Sequence, residues 1–101
     1  MLMDSKALQE AGVIALVLET IPADLAAEIS KSLRIPTIGI GAGVGCDGEV
    51  QVWYDLLGLM PGKPYKHAGQ FAELRSPALV ALREYARRVR EGSFPTEEHS
   101  I

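Results

Sequence analysis

Two short apolar segments, separated by an amphipathic one, constrain the fold more than any other feature of this sequence. Residues 13–18 are six apolar residues without alternation, and residues 37–40 form a second short run. Such runs are typical of strands that are covered on both faces in a parallel sheet. Residues 22–33, between them, show helical spacing of apolar side chains at Leu25, Ala26, Ile29 and Leu33. The pattern predicts a strand, a helix and a parallel strand joined by a right-handed crossover, which is an α/β fold.

Further elements are predicted on either side of this unit. Residues 4–11 indicate a helix that Gly12 ends, and residues 77–91 indicate a long helix that Gly92 ends. We expect the long helix to bury one apolar face, which consists of Leu79, Leu82, Tyr85, Ala86 and Val89. Residues 50–54 are rich in β-branched and aromatic side chains and predict a third strand. Asp55 follows that strand either as an acid at its end or as the N-cap of a helical turn.

The second apolar run leads into a loop with glycines at positions 39, 41, 43, 45 and 48. Glycines allow positive φ angles and close approach of backbone N–H groups to a ligand, so Gly39, Gly41 and Gly43 are candidate substrate-binding positions. The loop is not a nucleotide loop: Val44 and Cys46 replace the third glycine of the dinucleotide fingerprint, and Glu49 replaces the lysine of a phosphate loop. A simple turn and a ligand-binding loop both remain open at this point.

Glu19 is the other candidate site residue, because it directly follows the first apolar run. Side chains at the carboxyl ends of parallel strands converge at one edge of the sheet, where α/β folds place their chemistry. The predicted crossover brings Glu19 and the glycine loop to this same edge. The alternative is a solvated loop acid, and the local sequence does not decide between the two.

Charge and composition exclude several classes of function. The 101 residues carry a net charge of −3, which gives no electrostatic reason to expect nucleic acid or an anionic membrane. The single cysteine, Cys46, cannot form an internal disulfide, and no apolar run approaches the ~20 residues of a membrane span, so we expect a cytoplasmic protein. No metal site is predicted, since His67 and His99 are far apart and no ligand motif occurs. Lys63, Lys66 and His67 form a basic cluster within residues 58–70, which is either solvated or able to attract an acidic ligand.

Four linked motifs together resemble the ketopantoate hydroxymethyltransferase family. They are Val-Leu-Glu at 17–19, Ile-Pro-Thr-Ile-Gly-Ile-Gly-Ala-Gly at 35–43, Cys-Asp-Gly at 46–48 with Val50, Val52, Asp55 and Gly58, and Gly-x-Phe-Pro-x-x-Glu-His-Ser at 92–100. The similarity covers essentially all 101 residues in order. It is a similarity to the C-terminal part of such an enzyme.

This resemblance implies a fold and an activity. The fold is a TIM-type (β/α)₈ barrel of the phosphoenolpyruvate/pyruvate type, of which residues 1–101 would be a single unit holding the last three β/α units, with residues 93–101 as a C-terminal tail. The activity is transfer of a hydroxymethyl group from 5,10-methylenetetrahydrofolate to 3-methyl-2-oxobutanoate, which gives 2-dehydropantoate for pantothenate biosynthesis. In the family, Mg²⁺ chelates the keto acid and a glutamate removes the proton beside the ketone. Glu19 matches that glutamate.

The resemblance also implies that a lone copy of this chain is incomplete. The family's metal-binding acids and a lysine that binds the keto acid belong to earlier strands, so we expect the Mg²⁺ ligands outside this chain. A barrel reduced to three strands has open edges and apolar faces. We therefore expect association with a missing N-terminal barrel portion or self-association. A non-catalytic half-barrel assembly module is the alternative function, and a generic anion-binding α/β fragment is a third.

Overall fold

The structure is a computed structural model that describes residues 1–101, and it is a mixed α/β chain with one parallel sheet. The helices are α1 (Leu2–Glu10), α2 (Ala23–Ser32), α3 (Trp53–Leu56) and α4 (Arg75–Glu91), followed by a 3₁₀ turn at Glu97–His99. The strands are β1 (Leu16–Glu19), β2 (Thr37–Ile40) and β3 (Gly48–Glu49). The α/β class and the parallel strand pair that flanks α2 are thus confirmed.

The three strands lie in the sheet in chain order, β1, β2, β3, and both pairs are parallel. Glu19 is in register with Ile40, the last residue of β2. Because the strands run in the same direction, β1 and β2 end at one edge of the sheet. The glycine loop leaves β2 at this edge, as the sequence predicted.

The first strand is shorter than predicted. Residues 13–15 lie outside β1, and Glu19 belongs to the strand instead of following it. The ladder begins where Leu16 pairs with Thr37, with the Leu16 N–H donating to the carbonyl of Pro36 at 3.0 Å. Pro36 has no N–H group to return, so the residues before Leu16 find no continuing partner.

The third strand was predicted at the wrong place. β3 contains only Gly48–Glu49, and residues 50–54 enter a turn and the short helix α3. The Val50 N–H donates to the Gly39 carbonyl at 2.9 Å, and β2 ends one residue later. No strand therefore continues beside residues 51–54, and their backbone closes locally, with Leu56 N–H donating to the Val52 carbonyl at 3.0 Å. Val52 is the N-cap of α3, so the N-cap role that was one of the two alternatives for Asp55 is wrong.

A small core forms between the sheet and α2. Leu18, Ala26, Ile29 and Ala42 are buried, and Leu25 of α2 and Leu33 directly after α2 pack against them. The helix predicted at residues 22–33 and its apolar side are thereby confirmed. Burial of Leu18 fixes which face of β1 points toward α2, and this orients the rest of the strand.

The prediction that the long helix buries its apolar face is wrong. α4 begins at Arg75 and ends at Gly92 in a left-handed conformation, close to the predicted bounds, but none of its residues is buried. Leu82 is 63% exposed and Tyr85 55%. No other helix or strand of the chain covers this face. The radius of gyration is 21.5 Å, well above the roughly 13 Å of a compact domain of this size.

Candidate functional site

Glu19 lies at the carboxyl end of β1, on the sheet face opposite α2. Side chains alternate between the two faces of a strand, and Leu18 is buried against α2 whereas Val17 and Glu19 are exposed. The carboxylate therefore shares the uncovered face of the sheet with Val17. The structure brings Glu19 to the edge where the glycine loop begins, and its catalytic role stays a prediction.

Thr20, the next residue, has a backbone conformation that is unusual for its type. Its φ angle is +50°, the only positive φ at a non-glycine residue in the chain. A β-branched residue in this region is an outlier that tertiary contacts must hold. The Thr20 N–H donates to the Ile40 carbonyl at 2.8 Å, which supplies such a contact. The chain therefore turns sharply directly after Glu19.

The glycine loop packs against the first turns of α2, and this contact accounts for Gly43. Gly43 has a φ angle of +74°, and a Cβ atom placed on it would overlap the Cβ atom of Ala23. Only glycine satisfies both the conformation and the close approach. Gly41 also has a positive φ angle, +62°, and borders the ring of His67, whereas Gly39 is a buried residue of β2.

A polar cluster ties the far end of the glycine loop to the start of β2. The carboxylate of Asp47 accepts hydrogen bonds from the Thr37 N–H at 2.8 Å and from the Thr37 hydroxyl at 3.1 Å. Thr37 is fully buried, and its Oγ1 lies 2.7 Å from Ser30 Oγ of α2. The hydrogen bonds from the Thr37 backbone and side chain hold the pKa of Asp47 below its usual value. Asp47 thus stays charged and fixes the loop.

A cleft of about 890 Å³ opens at the glycine loop. Ten residues line it: Thr20, Gly41, Gly43, Val44, Cys46, Asp47, Gly48, Glu49, Lys66 and His67. The glycine loop and two members of the basic cluster, Lys66 and His67, therefore meet at one place although they are distant in sequence. Lys63 is not part of it and lies with Asp55 around a second, smaller cleft. Glu19 does not line the large cleft either.

The acidic residues of the large cleft do not form a magnesium site. Asp47 is hydrogen-bonded to Thr37, and Glu49 Oε1 accepts a hydrogen bond from the Gln51 side chain at 3.0 Å. Nowhere in the chain do three His, Cys, Asp or Glu side chains lie together in a way that could hold a metal ion. The residues present therefore do not fit the Mg²⁺ that the resemblance implies.

Sequence reasoning missed three residues that organise this region. Thr37 was counted as part of an apolar run, Gln51 as part of a strand, and Asp47 only as a member of the Cys-Asp-Gly motif. The signal that could have indicated the Thr37–Asp47 contact is a threonine in an otherwise apolar run, ten residues before an aspartate in a glycine loop. His99 also has a partner that the sequence did not suggest, since its Nδ1 lies 2.8 Å from Thr96 Oγ1.

This geometry defines the class of the protein: an α/β chain whose parallel strands end beside a glycine-rich loop, with an acid at the strand end. The family model described as "Ketopantoate hydroxymethyltransferase" matches residues 1–97. The chain belongs to the ketopantoate hydroxymethyltransferase family.

Curated relatives support this assignment and show how much of the family the chain covers. It is 55% identical over 97 residues to the 3-methyl-2-oxobutanoate hydroxymethyltransferase of Gluconacetobacter diazotrophicus, which is 96% of this chain and 35% of the relative. It is 54% identical over 100 residues to the enzyme of the same name from Chloroflexus aurantiacus, 99% of this chain and 36% of the relative. It is 49% identical over 101 residues to the enzyme of the same name from Paraburkholderia phymatum, which is 100% of this chain and 37% of the relative. The chain thus spans about a third of the length of these relatives.

No helix in the structure combines the length and the apolar character that crossing a membrane would require.

Proposed function

We propose that this chain is the C-terminal segment of an enzyme that transfers a hydroxymethyl group from 5,10-methylenetetrahydrofolate to 3-methyl-2-oxobutanoate and forms 2-dehydropantoate. The observation that carries the proposal is the position of Glu19 in a chain of this family. Glu19 lies at the end of a parallel strand, in register with the residue that precedes the glycine loop. This is where a (β/α)₈ barrel places its catalytic groups.

Glu19 is proposed as the base that removes the proton beside the ketone. Its carboxylate lies on the uncovered face of the sheet, which in a closed barrel is the interior. Closure of the barrel would surround the carboxylate with side chains from other strands and reduce its contact with water. Desolvation of this kind raises the pKa of a carboxyl group, which makes its carboxylate a stronger general base.

The glycine loop is proposed to seat an oxygen of the keto acid or of its enolate. Backbone N–H groups directed at a developing negative charge stabilise it without side-chain rearrangement. Gly41 and Gly43 have positive φ angles, which suits a loop that turns its N–H groups to one side. The Mg²⁺ that the family uses would need ligands from outside this chain, so no step is assigned to residues here on its account.

The chain is proposed to work in association with the rest of a barrel. Val17 on the open sheet face and the apolar side of α4 are exposed, and β1 has a free edge. A partner that supplies the missing strands would cover all three. The partner is either an N-terminal barrel portion or further copies of this chain. The unpaired Cys46 agrees with a cytoplasmic location.

Reconstitution tests the proposed activity. The chain is mixed with the portion of the Gluconacetobacter diazotrophicus relative that it does not match, and methylenetetrahydrofolate-dependent formation of ketopantoate is measured. We expect activity that neither part has alone, and at least a 100-fold loss with Glu19→Gln. Glu28→Gln, at an exposed glutamate of α2, is the matched control and should keep full activity. Activity that survives Glu19→Gln would refute the assigned base.

A non-catalytic assembly module is the second candidate, and the exposed apolar faces favour it. A protein of this kind needs a partner surface but no base. It predicts that the reconstituted complex forms with the same affinity in the native chain and in Glu19→Gln, while no ketopantoate appears in either. The same mixing experiment therefore separates the two functions.

A further inference from the structure

The two parallel strands at the candidate site end in the same backbone conformation. Glu19 of β1 is in register with Ile40 of β2, so the residues that follow them, Thr20 and Gly41, leave the sheet at the same level. Both have positive φ angles, +50° and +62°. Glycine reaches this conformation without strain, whereas a β-branched residue does not. The strained end is therefore the one that directly follows the proposed base.

Contacts on both sides hold Thr20 in this conformation. Its N–H donates to the Ile40 carbonyl at 2.8 Å, which continues the hydrogen bonding between β1 and β2 past the last residue of β1. The next residue, Ile21, packs against the core, and Pro22 is the N-cap of α2. Because Ile21 precedes a proline, its backbone is restricted to extended conformations. Thr20 is thus the residue in which the chain turns between two fixed points.

The same contacts limit the movement of Glu19. Leu18, on one side of it, is buried against α2, and Thr20, on the other side, is held by the hydrogen bond to Ile40. The backbone from which the Glu19 side chain projects is therefore fixed at both ends. Strained backbone of this kind persists only where the surrounding structure enforces it, and it is frequent at active sites.

We propose that Thr20 is a positioning residue for the base: its left-handed backbone, held against Ile40, sets the direction of the Glu19 carboxylate. This inference rests on the proposed function of Glu19 and adds the residue that orients it. A general base must lie within hydrogen-bond reach of the proton it removes, and a misplacement of about 1 Å costs about 100-fold in rate. The sign of the φ angle at position 20 is what matters, and the threonine side chain is not required.

Proline of either hand at position 20 separates the conformation from the hydrogen bond. L-proline holds φ at about −65° and its mirror image, D-proline, at about +65°, and neither has an N–H group to donate. Cys46 is the only cysteine, so the chain can be made from synthetic peptides 1–45 and 46–101 by ligation at this residue, with ¹³C in the Glu19 carboxyl group. The two forms of Thr20→Pro, Thr20→Asn and the native chain are each combined with the portion of the Gluconacetobacter diazotrophicus relative that tests Glu19.

The measurements are kcat and KM for the keto acid, and the NMR signal of the Glu19 carboxyl group. D-proline and Asn tolerate a positive φ angle, so both chains should keep kcat within about threefold of native. The L-proline chain should lose about 100-fold in kcat at a nearly unchanged KM. The Glu19 signal should move in the L-proline chain alone. A role in folding alone would lower the amount of complex and leave kcat per assembled complex unchanged.

Equal kcat values in the L-proline and D-proline chains, whether native or reduced, would overturn the proposal. If the L-proline chain does not assemble, the D-proline chain decides: a native-like kcat supports the positioning role, and a loss of kcat overturns it. If the native complex itself forms no ketopantoate, the proposed function fails, but the Glu19 carboxyl signal still tests the positioning role. A native signal in both Thr20→Pro chains would then refute it.

Discussion

Asp47 and Thr37 close the glycine loop at its two ends. The Asp47 carboxylate accepts the Thr37 N–H at 2.8 Å and the Thr37 hydroxyl at 3.1 Å, and the Asp47 N–H donates back to Thr37 Oγ1 at 3.3 Å. Thr37 opens β2, while Asp47 immediately precedes β3. This reciprocal contact therefore joins the two strands through side chains and determines how far the loop between them can open.

Removal of the Thr37 hydroxyl should loosen the loop. Thr37→Val keeps the shape of the buried side chain but deletes its bonds to Asp47 and Ser30, so we expect a lower Tm by several degrees and faster amide exchange in residues 41–46. Thr37→Ser keeps the hydroxyl and should exchange at nearly the native rate. Equal exchange rates in the Val and Ser variants would contradict the role of this hydroxyl.

Acid should release the same contact. Hydrogen bonds from Thr37 hold the pKa of Asp47 below its ordinary value, so the charged form stabilises the folded state. This contribution is fully present above the unfolded-state pKa, near pH 4, and is lost as the pH falls through the lower folded-state value. We expect the amides of residues 41–46 to change below about pH 4 in the native chain. Asp47→Asn should abolish that acid transition, which an NMR pH titration measures.

The left-handed conformation of Thr20 should cost stability. Thr20→Asn places a residue that tolerates this conformation, and we expect it to stabilise the fold by about 1 kcal/mol in urea unfolding. Thr20→Val keeps the β-branched side chain and should give no gain. A loss of stability in Thr20→Asn would mean that the threonine side chain itself contributes to the fold.

Gly43 should tolerate no side chain, for two reasons that can be separated. Gly43→Ala adds strain at a φ angle of +74° and an overlap with Ala23. Gly62→Ala is the matched control, since Gly62 also has a positive φ angle, +86°, but a Cβ atom there would meet nothing within 4 Å. We expect Gly43→Ala to cost about 1–3 kcal/mol more than Gly62→Ala in urea unfolding. Equal losses of unfolding free energy in the two variants would show that the loop does not pack closely against α2.

The exposed apolar faces should lead to association. Size-exclusion chromatography with light scattering is expected to show a species heavier than the 10.9 kDa chain, or a chain that binds a hydrophobic dye. Leu82→Glu, on the open side of α4, should reduce the mass or the dye signal, and Arg83→Glu, on its charged side, should not. A stable 10.9 kDa species without dye binding would contradict the prediction.

The sequence predicted the elements whose signal is local. The apolar stripe of α2 and the glycine that ends α4 depend on neighbours within a few turns, and both were located within about two residues. The parallel pairing of β1 and β2 followed from the short crossover between them. The position of Glu19 at the sheet edge was predicted from the same logic.

The sequence could not predict features that depend on where another segment stops. Val50 and Val52 favour a strand by composition, but β2 ends at Ile40 and leaves residues 51–54 without a partner. The apolar stripe of α4 correctly indicated a helix, yet burial requires a neighbour that this chain does not supply. The contact of His67 with Gly41 joins segments 26 residues apart, and no periodicity encodes it.

Because the chain turns sharply at Thr20, the two neighbouring residues Glu19 and Thr20 have different surroundings. Glu19 points away from α2, and Thr20 borders the cleft by the glycine loop. A ligand in the cleft that shifted the Thr20 backbone would also reorient the carboxylate one peptide bond away. A change in the backbone of Thr20 would therefore affect both its hydrogen bond to Ile40 and the direction of the Glu19 carboxylate.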